Sequence, residues 1–205
     1  WCGTAGLAAH LPLALGLVPA APLSPGRPQT VPHRQPPAER LLVIAGSLHP
    51  ATAAQTAALA RAGWEHLSVP IDRPPPATLR ADLARAMEQH RYVVLALHRG
   101  ALSEGDVQEL ARQPGAAERA LQPLVQAVQG ASWLGPGLGL IVTGGETALQ
   151  LCRSWGATSI EITGEALPGI PLGRLQLPQG SVPLATKSGG FGAPDALLET
   201  ARALL

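Results

Sequence analysis

The chain has 205 residues, 15 basic against 14 acidic side chains for a formal net charge of +1, and 46% apolar residues. That apolar content is too high for a disordered chain, and no apolar run reaches the ~18–20 residues that cross a bilayer. A near-neutral charge with no basic stripe and six aromatics (Trp1, Trp64, Trp133, Trp155, Tyr92, Phe191) argues against nucleic-acid binding.

Residues 1–18 read as a scrap of structure, a glycine-rich turn at Gly3-Thr4-Ala5-Gly6 followed by an apolar helical stretch. Leu11 to Ala21 mimics a signal-peptide core, but no positive charge precedes it, so the start is read as a cut or a mid-protein entry rather than a secretion signal. Seven prolines crowd residues 19–37 (19, 22, 25, 28, 32, 36 and 37), which predicts an extended linker over 19–38. One folded domain is expected over 39–205.

Leu41–Ala45 is a continuous apolar run bounded by Gly46, the pattern of a strand buried on both faces. Pro50 then takes the first-turn position of a helix over Ala51–Arg61, which Gly63 ends. A short strand follows at His66–Val69, a helix at Thr78–His90 with Leu79, Leu83 and Met87 on one face, and a buried strand at Tyr92–Leu97. Ser103–Gln129 reads as one or two helices broken near Pro114-Gly115. Leu138–Val142 is a strand and Glu146–Trp155 a helix. Strands are expected at Ser159–Ile162, Arg174–Leu177 and Val182–Thr186, the last group antiparallel in part, before a closing helix over Pro194–Leu204. Such alternation predicts a three-layer α/β/α sandwich on a mainly parallel, partly mixed sheet. Ligands are expected at the carboxyl ends of its strands.

Three of those ends share small, hydroxylated and glycine residues: Gly46-Ser47-Leu48-His49-Pro50, Thr143-Gly144-Gly145-Glu146-Thr147 and Lys187-Ser188-Gly189-Gly190-Phe191-Gly192. Glycines there let several N–H groups converge, and a helix N-terminus adds partial positive charge, so the combination suits phosphate. Fourteen of the 15 basic residues are arginine, and the single lysine, Lys187, opens the third of these loops. A compact ammonium at that point is read as a charge partner for phosphate. Ser47, Thr147 and Ser188 add hydroxyls able to reach phosphate oxygens or Mg2+. Neither the P-loop nor the dinucleotide fingerprint is present. Structural roles compete: Thr143-x-x-Glu146 matches a capping box, and Gly189, Gly190 and Gly192 also fit a plain turn. His49 reads as a helix-start residue, Arg99 as a solvated loop arginine or a phosphate contact, and the internal tryptophans as packing groups. Cys2 and Cys152 are too few for a disulfide framework, and the six histidines lack metal-ligand spacing. A reduced, cytoplasmic setting with no structural metal is therefore expected.

The ordered set Gly46-Ser47…Pro50…Thr52…Gln55, Thr143-Gly144-Gly145-Glu146-Thr147-Ala148, Gly164-Glu165…Pro168-Gly169-Ile170-Pro171 and Lys187-Ser188-Gly189-Gly190-Phe191-Gly192 resembles the nucleotide-binding C-terminal domain of the four-carbon acid sugar kinase family, over about residues 41–204. Gly3-Thr4-Ala5-Gly6-Leu7 resembles the segment that ends that family's N-terminal substrate domain. The resemblance implies an ATP- and Mg2+-dependent kinase acting on erythronate, threonate or 3-oxo-tetronate. It implies ATP contacts at Ser47, Gly144, Gly145, Glu146, Thr147, Lys187, Ser188, Gly189 and Gly190, and a substrate domain as partner in cis or in trans. Position 146, often Asp in the family, is Glu here. Most of the substrate domain is missing from this chain, so the isolated chain is expected to be inactive. A non-catalytic nucleotide-binding or regulatory module is the alternative.

Overall fold

The computed structural model describes residues 15–16 and 37–205. The expected domain remnant at 1–18 and proline-rich linker at 19–38 fall almost wholly outside the described residues. At the boundary, Ala38 already belongs to the core. It is 4% exposed and its N–H donates to Leu204 O at 2.9 Å.

Seven strands form one sheet among the described residues: β1 (Arg40–Ala45), β2 (Glu65–Pro70), β3 (Tyr92–His98), β4 (Leu138–Thr143), β5 (Ser159–Leu167), β6 (Ile170–Leu177) and β7 (Gly180–Lys187). Their spatial order is β2-β3-β1-β4-β7-β6-β5. The first five in that order run parallel, whereas β5–β6 and β6–β7 are antiparallel. Six helices connect or close them: α1 (Pro50–Arg61), α2 (Leu79–Gln89), α3 (Glu104–Ala111), α4 (Ala116–Val128), α5 (Gly145–Ser154) and α6 (Ala196–Leu204).

The alternation of a strand divides the core in two. Leu41, Val43 and Ala45 of β1 pack with Leu59 of α1 and Leu197 and Ala201 of α6 on one face. Leu42 and Ile44 pack with Leu83 and Met87 of α2, Leu121 and Leu124 of α4 and Leu151 of α5 on the other. This is the three-layer α/β/α arrangement, and it explains why β1, β3 and β4 read as unbroken apolar runs: both faces are covered. Trp64, Trp133 and Trp155 serve packing. Trp64 stacks on Tyr92 with ring centroids 4.9 Å apart, and Trp155 donates from Nε1 to Val128 O at 3.2 Å.

The final third differs from expectation in extent. Its strands are longer than the apolar patches at 159–162, 174–177 and 182–186, because Gly164, Pro171, Gly173 and Pro183 sit inside strands instead of ending them. Pro171 is paired with β5 alone, since β6–β7 pairing starts at Leu172, and Pro183 with β6 alone, since β4–β7 pairing starts at Leu184, so each proline stands where its strand has one paired side. The edge strand β5 carries register irregularities at Ile162/Gly164 and Glu165/Leu167.

The register positions the site. Ala45 lies opposite Thr143, and Thr143 opposite Lys187. Three neighbouring parallel strands therefore end at the same height, and the loops starting at Gly46, Gly144 and Ser188 leave the sheet side by side.

Candidate functional site

The three loops interlock through their glycines. A methyl group on Gly189 would lie 2.0 Å from Ser47 Oγ, one on Gly46 would lie 2.2 Å from Thr147 Oγ1, and one on Gly190 would lie 3.2 Å from His49 Nε2. Gly144, at φ +99°, leaves its would-be methyl 2.9 Å from Thr147 Oγ1 and 3.8 Å from Ser47 Cβ. Backbone bonds fasten the same points, Gly144 N donating to Lys187 O at 2.8 Å and Gly46 N to Thr143 O at 3.3 Å. The structure thus brings Ser47, Gly144, Thr147 and Gly189 together, with Gly145 and Glu146 continuing into α5 and Ser188 and Gly190 flanking Gly189. His49 caps α1, its Nδ1 accepting from Ala51 N at 3.1 Å, as a helix-start residue should.

The loop after β7 is held from behind by three buried side chains. Lys187, 3% exposed, donates from Nζ to the carbonyls of Ser188 (2.6 Å), Gly189 (3.0 Å) and Phe191 (2.9 Å). Thr52 Oγ1 donates to Gly189 O at 2.8 Å. Gln55 Nε2 donates to Phe191 O at 2.9 Å, Gly192 O at 3.2 Å and Ala193 O at 2.9 Å. An ammonium has three donors, so all of those on Lys187 are engaged within its own loop. The lysine therefore acts differently from a direct phosphate partner. It gathers the carbonyls inward, while the N–H groups of Gly189 and Gly190 have no partner among the described contacts. Burial pushes the Lys187 pKa below the ordinary lysine value. No carboxylate neutralises it among the described ion pairs.

The α5 N-terminus is open. The textual capping box does not form: Thr143 belongs to β4, its Oγ1 is buried without a partner, and Gly144 is the N-cap residue with no side-chain bond. Glu146 instead accepts from Gln150 Nε2 at 2.7 Å. The first bonded N–H is that of Ala148, to Gly144 O at 3.0 Å, so those of Gly145, Glu146 and Thr147 are unpaired. Uncapped N–H groups and the helix dipole favour an anion here. The residues fit a phosphate chain. For a metal ion the fit is thinner, with Glu146 the one carboxylate in these loops. A phosphate-held Mg2+ needs only one or two.

Beside this polar end opens an apolar slot of about 330 Å³. Leu48, Leu97, Val107, Leu110 and Leu121 line it, with Gly144–Thr147 at one end. Helix α3 contributes Val107, Leu110 and Ala111, yet none of its residues is buried. Its stability therefore rests on a capping box between Ser103 and Asp106, with Asp106 N donating to Ser103 Oγ at 3.2 Å and Ser103 N to Asp106 Oδ2 at 2.8 Å. Amide exchange is expected to be faster in Glu104–Ala111 than in the other helices, and faster still in Ser103→Ala. The Ser103 hydroxyl and N–H hold the Asp106 carboxyl below its ordinary pKa. The stabilisation is thus present above the unfolded value and lost as pH falls through the folded one. Mass-resolved exchange showing α3 as protected as α4 would refute this.

Sequence reasoning missed the buried Thr52 and Gln55 as loop supports. Their spacing on one helix face is the signal, but nothing local says what a buried amide donates to. Arg99 pairs with Glu104 at 3.6 Å and stands outside the three-loop cluster.

Comparisons with known proteins show the family of the chain. The family model described as nucleotide-binding C-terminal domain matches residues 42–197. The D-threonate kinase of Bordetella bronchiseptica is 31% identical over 172 residues, covering 80% of this chain and 40% of that protein. A solved domain of unknown function from Bordetella bronchiseptica, a domain-swapped dimer with bound citrate, superposes with a TM-score of 0.58 at 26% identity, over 82% of this chain and 41% of that one. A putative tRNA synthase from Salmonella typhimurium superposes with a TM-score of 0.59 at 26% identity, over 82% and 42%. The chain spans about 40% of the length of the curated relative it matches.

Proposed function

The chain belongs to the family of nucleotide-binding C-terminal domains, and on that premise we propose that it is the ATP-binding part of a cytoplasmic kinase for a four-carbon sugar acid of the erythronate, threonate or 3-oxo-tetronate type, working with a substrate domain in cis or in trans. The observation that carries this reading is the pairing of two unpaired N–H clusters, at Gly145–Thr147 and at Gly189–Gly190, around Ser47. The 31% identity to a D-threonate kinase supports the substrate class. Among the described residues no helix is long and apolar enough to cross a membrane.

In this reading the nucleoside enters the apolar slot and the phosphates lie across the α5 N-terminus and the glycine loop. Phosphoryl transfer depends on positioning and on stabilising charge, with little covalent work for the protein. Gly145, Glu146, Thr147, Gly189 and Gly190 offer backbone N–H groups to phosphate oxygens. Ser47 and Ser188 offer hydroxyls, Thr147 packs behind Gly46 and Gly144, and Lys187 fixes the loop and supplies an uncompensated positive charge behind it. Magnesium, held chiefly by the phosphates with Glu146 as its protein carboxylate, would neutralise charge on the transferring group.

Calorimetry with Mg-ATP is expected to show saturable one-to-one binding, with no binding of NAD. NAD binding without ATP binding would overturn the reading in favour of a dinucleotide enzyme. An ADP-release assay with tetronates separates the kinase from a non-catalytic module. Turnover is expected once a matching substrate domain is added. Binding that never becomes turnover with any such domain would favour the regulatory module.

A further inference from the structure

A second and more polar cleft, of about 640 Å³, opens on the other side of the β1–α1 loop. Small residues of α1 make it possible: Ala53, Ala57 and Ala60 leave a gap between that helix and the edge strand β2 with its neighbour β3. His66, Ser68, Ala96 and His98 line the strand side, with Arg61 at the end of α1 and Arg99 and Glu104 at the rim. The cleft shares Ser47 and Leu48 with the apolar slot, so the two meet at the loop that carries the phosphate-side serine.

Three polar groups lining this cleft have atoms without a described partner. His98 Nδ1 accepts from Gly100 N at 3.1 Å, which fixes the neutral ring with its hydrogen on Nε2, a donor with no partner among the described contacts. His66 Nε2 is buried and also without a partner. Burial, and then the neighbouring His98, push the His66 pKa below its ordinary value, against an opposing effect of Glu65. Arg99 and Glu104 are paired at 3.6 Å, so the carboxylate at the rim is already answered. Arg61 has no hydrogen bond or ion pair among the described residues. A position in the last turn of α1 favours a cation, yet it does not explain why this one lines the same cleft as two imidazoles whose Nε2 atoms have no described partner.

We propose that this cleft binds a small oxyanion, a carboxylate or phosphate group, held by the Arg61 guanidinium and the His98 Nε2–H. Taken with the kinase reading, on which this part rests, the anion is the acidic end of the acceptor, and the shared Ser47–Leu48 loop puts that acceptor beside the nucleotide's phosphates. The site gives the nucleotide domain its own hold on the acid, in addition to whatever a substrate domain supplies.

The test is calorimetry on the full chain with three probes: inorganic phosphate, D-threonate, and threitol as a neutral polyol of the same length. The anions are expected to bind and threitol to fail. Arg61→Gln, a change at an exposed residue, is expected to weaken anion binding about tenfold or more, the scale of one charge-assisted hydrogen bond. It is expected to leave Mg-ATP affinity within about twofold, since Arg61 lies outside the three loops. His98→Ala is expected to weaken the anion in the same direction. Threonate binding without phosphate binding identifies the acceptor acid as the ligand, and phosphate binding without threonate binding identifies free phosphate. Failure of both anions, or binding that neither substitution moves, overturns the proposal while leaving the nucleotide reading intact. Anion binding in a chain that takes no Mg-ATP leaves the oxyanion site standing and removes the kinase reading.

Discussion

Lys187→Met is expected to abolish Mg-ATP binding and to destabilise the ligand-free chain by about 2–4 kcal/mol. The lysine side chain is 3% exposed, and its ammonium serves three carbonyls. Methionine fills the space and donates nothing. Each carbonyl keeps one other kind of donor: Ser188 O keeps Phe191 N at 3.1 Å, Gly189 O keeps Thr52 and Phe191 O keeps Gln55. Relief of the buried charge offsets part of the loss, which is why the figure stays below the sum of three charged hydrogen bonds. Urea unfolding and calorimetry on the same variant decide between two roles. A lysine that only touched phosphate would weaken ATP without lowering the stability of the free chain. A lysine that shapes the loop lowers both, and a Met variant as stable as the parent would refute that role. The pH dependence has a definite sign. Because burial puts the folded pKa below the unfolded one, the unfolded chain binds more protons in the interval between them. Stability contributed at this site therefore rises with pH from the folded value up to the ordinary lysine range. The difference between parent and Met variant should show that alkaline rise.

The second large effect is expected from Gly189→Ala, a substitution that adds one carbon atom. Gly189 does not need a left-handed backbone, so the cost is contact alone. The added methyl would meet Ser47 Oγ at 2.0 Å and Ser47 Cβ at 2.8 Å. The hydroxyl can rotate away, whereas the Cβ is fixed by the β1–α1 loop, so the two loops must part. Overpacking of this kind costs about 1–3 kcal/mol, and parted loops lose the shared anion site, lowering ATP affinity by roughly a hundredfold or more. Ser47→Gly in the same chain removes the obstacle and is expected to restore the stability, though not the hydroxyl's share of binding. Gly164→Ala, where nothing lies within 4 Å of the new methyl, serves as the matched control. Equal effects at Gly164 and Gly189 would mean that the loop contact is not what matters.

The layers were legible in the sequence because a strand covered on both faces must be apolar throughout, and β1, β3 and β4 are. The loops of the site were legible for a related reason: glycine and hydroxyl residues clustered where those runs stop. The long antiparallel strands were harder. Pro171 and Pro183 read as breakers along the chain, yet each stands in a strand whose pairing sets its own rules. The capping box at Thr143 failed because tertiary pairing claimed that residue for β4 first. Lys187 stands out by its rarity, but which groups its ammonium meets depends on carbonyl directions in a loop that no spacing encodes. The same holds for Gln55, whose partners lie 136 to 138 residues away.

That distance has a consequence for how the molecule comes into being. Thr52 and Gly189 are 137 residues apart, and the strand that delivers Gly189 joins the sheet between its chain neighbour β6 and the more distant β4. Loop-closure entropy must be met before such contacts form, so the binding loops are among the last parts to assemble. A chain stopped short of β7 would keep the apolar slot and the α5 N-terminus but lack the glycine loop. Any nucleotide that recognises only the finished arrangement would therefore pull the folding equilibrium of the entire sheet toward completion.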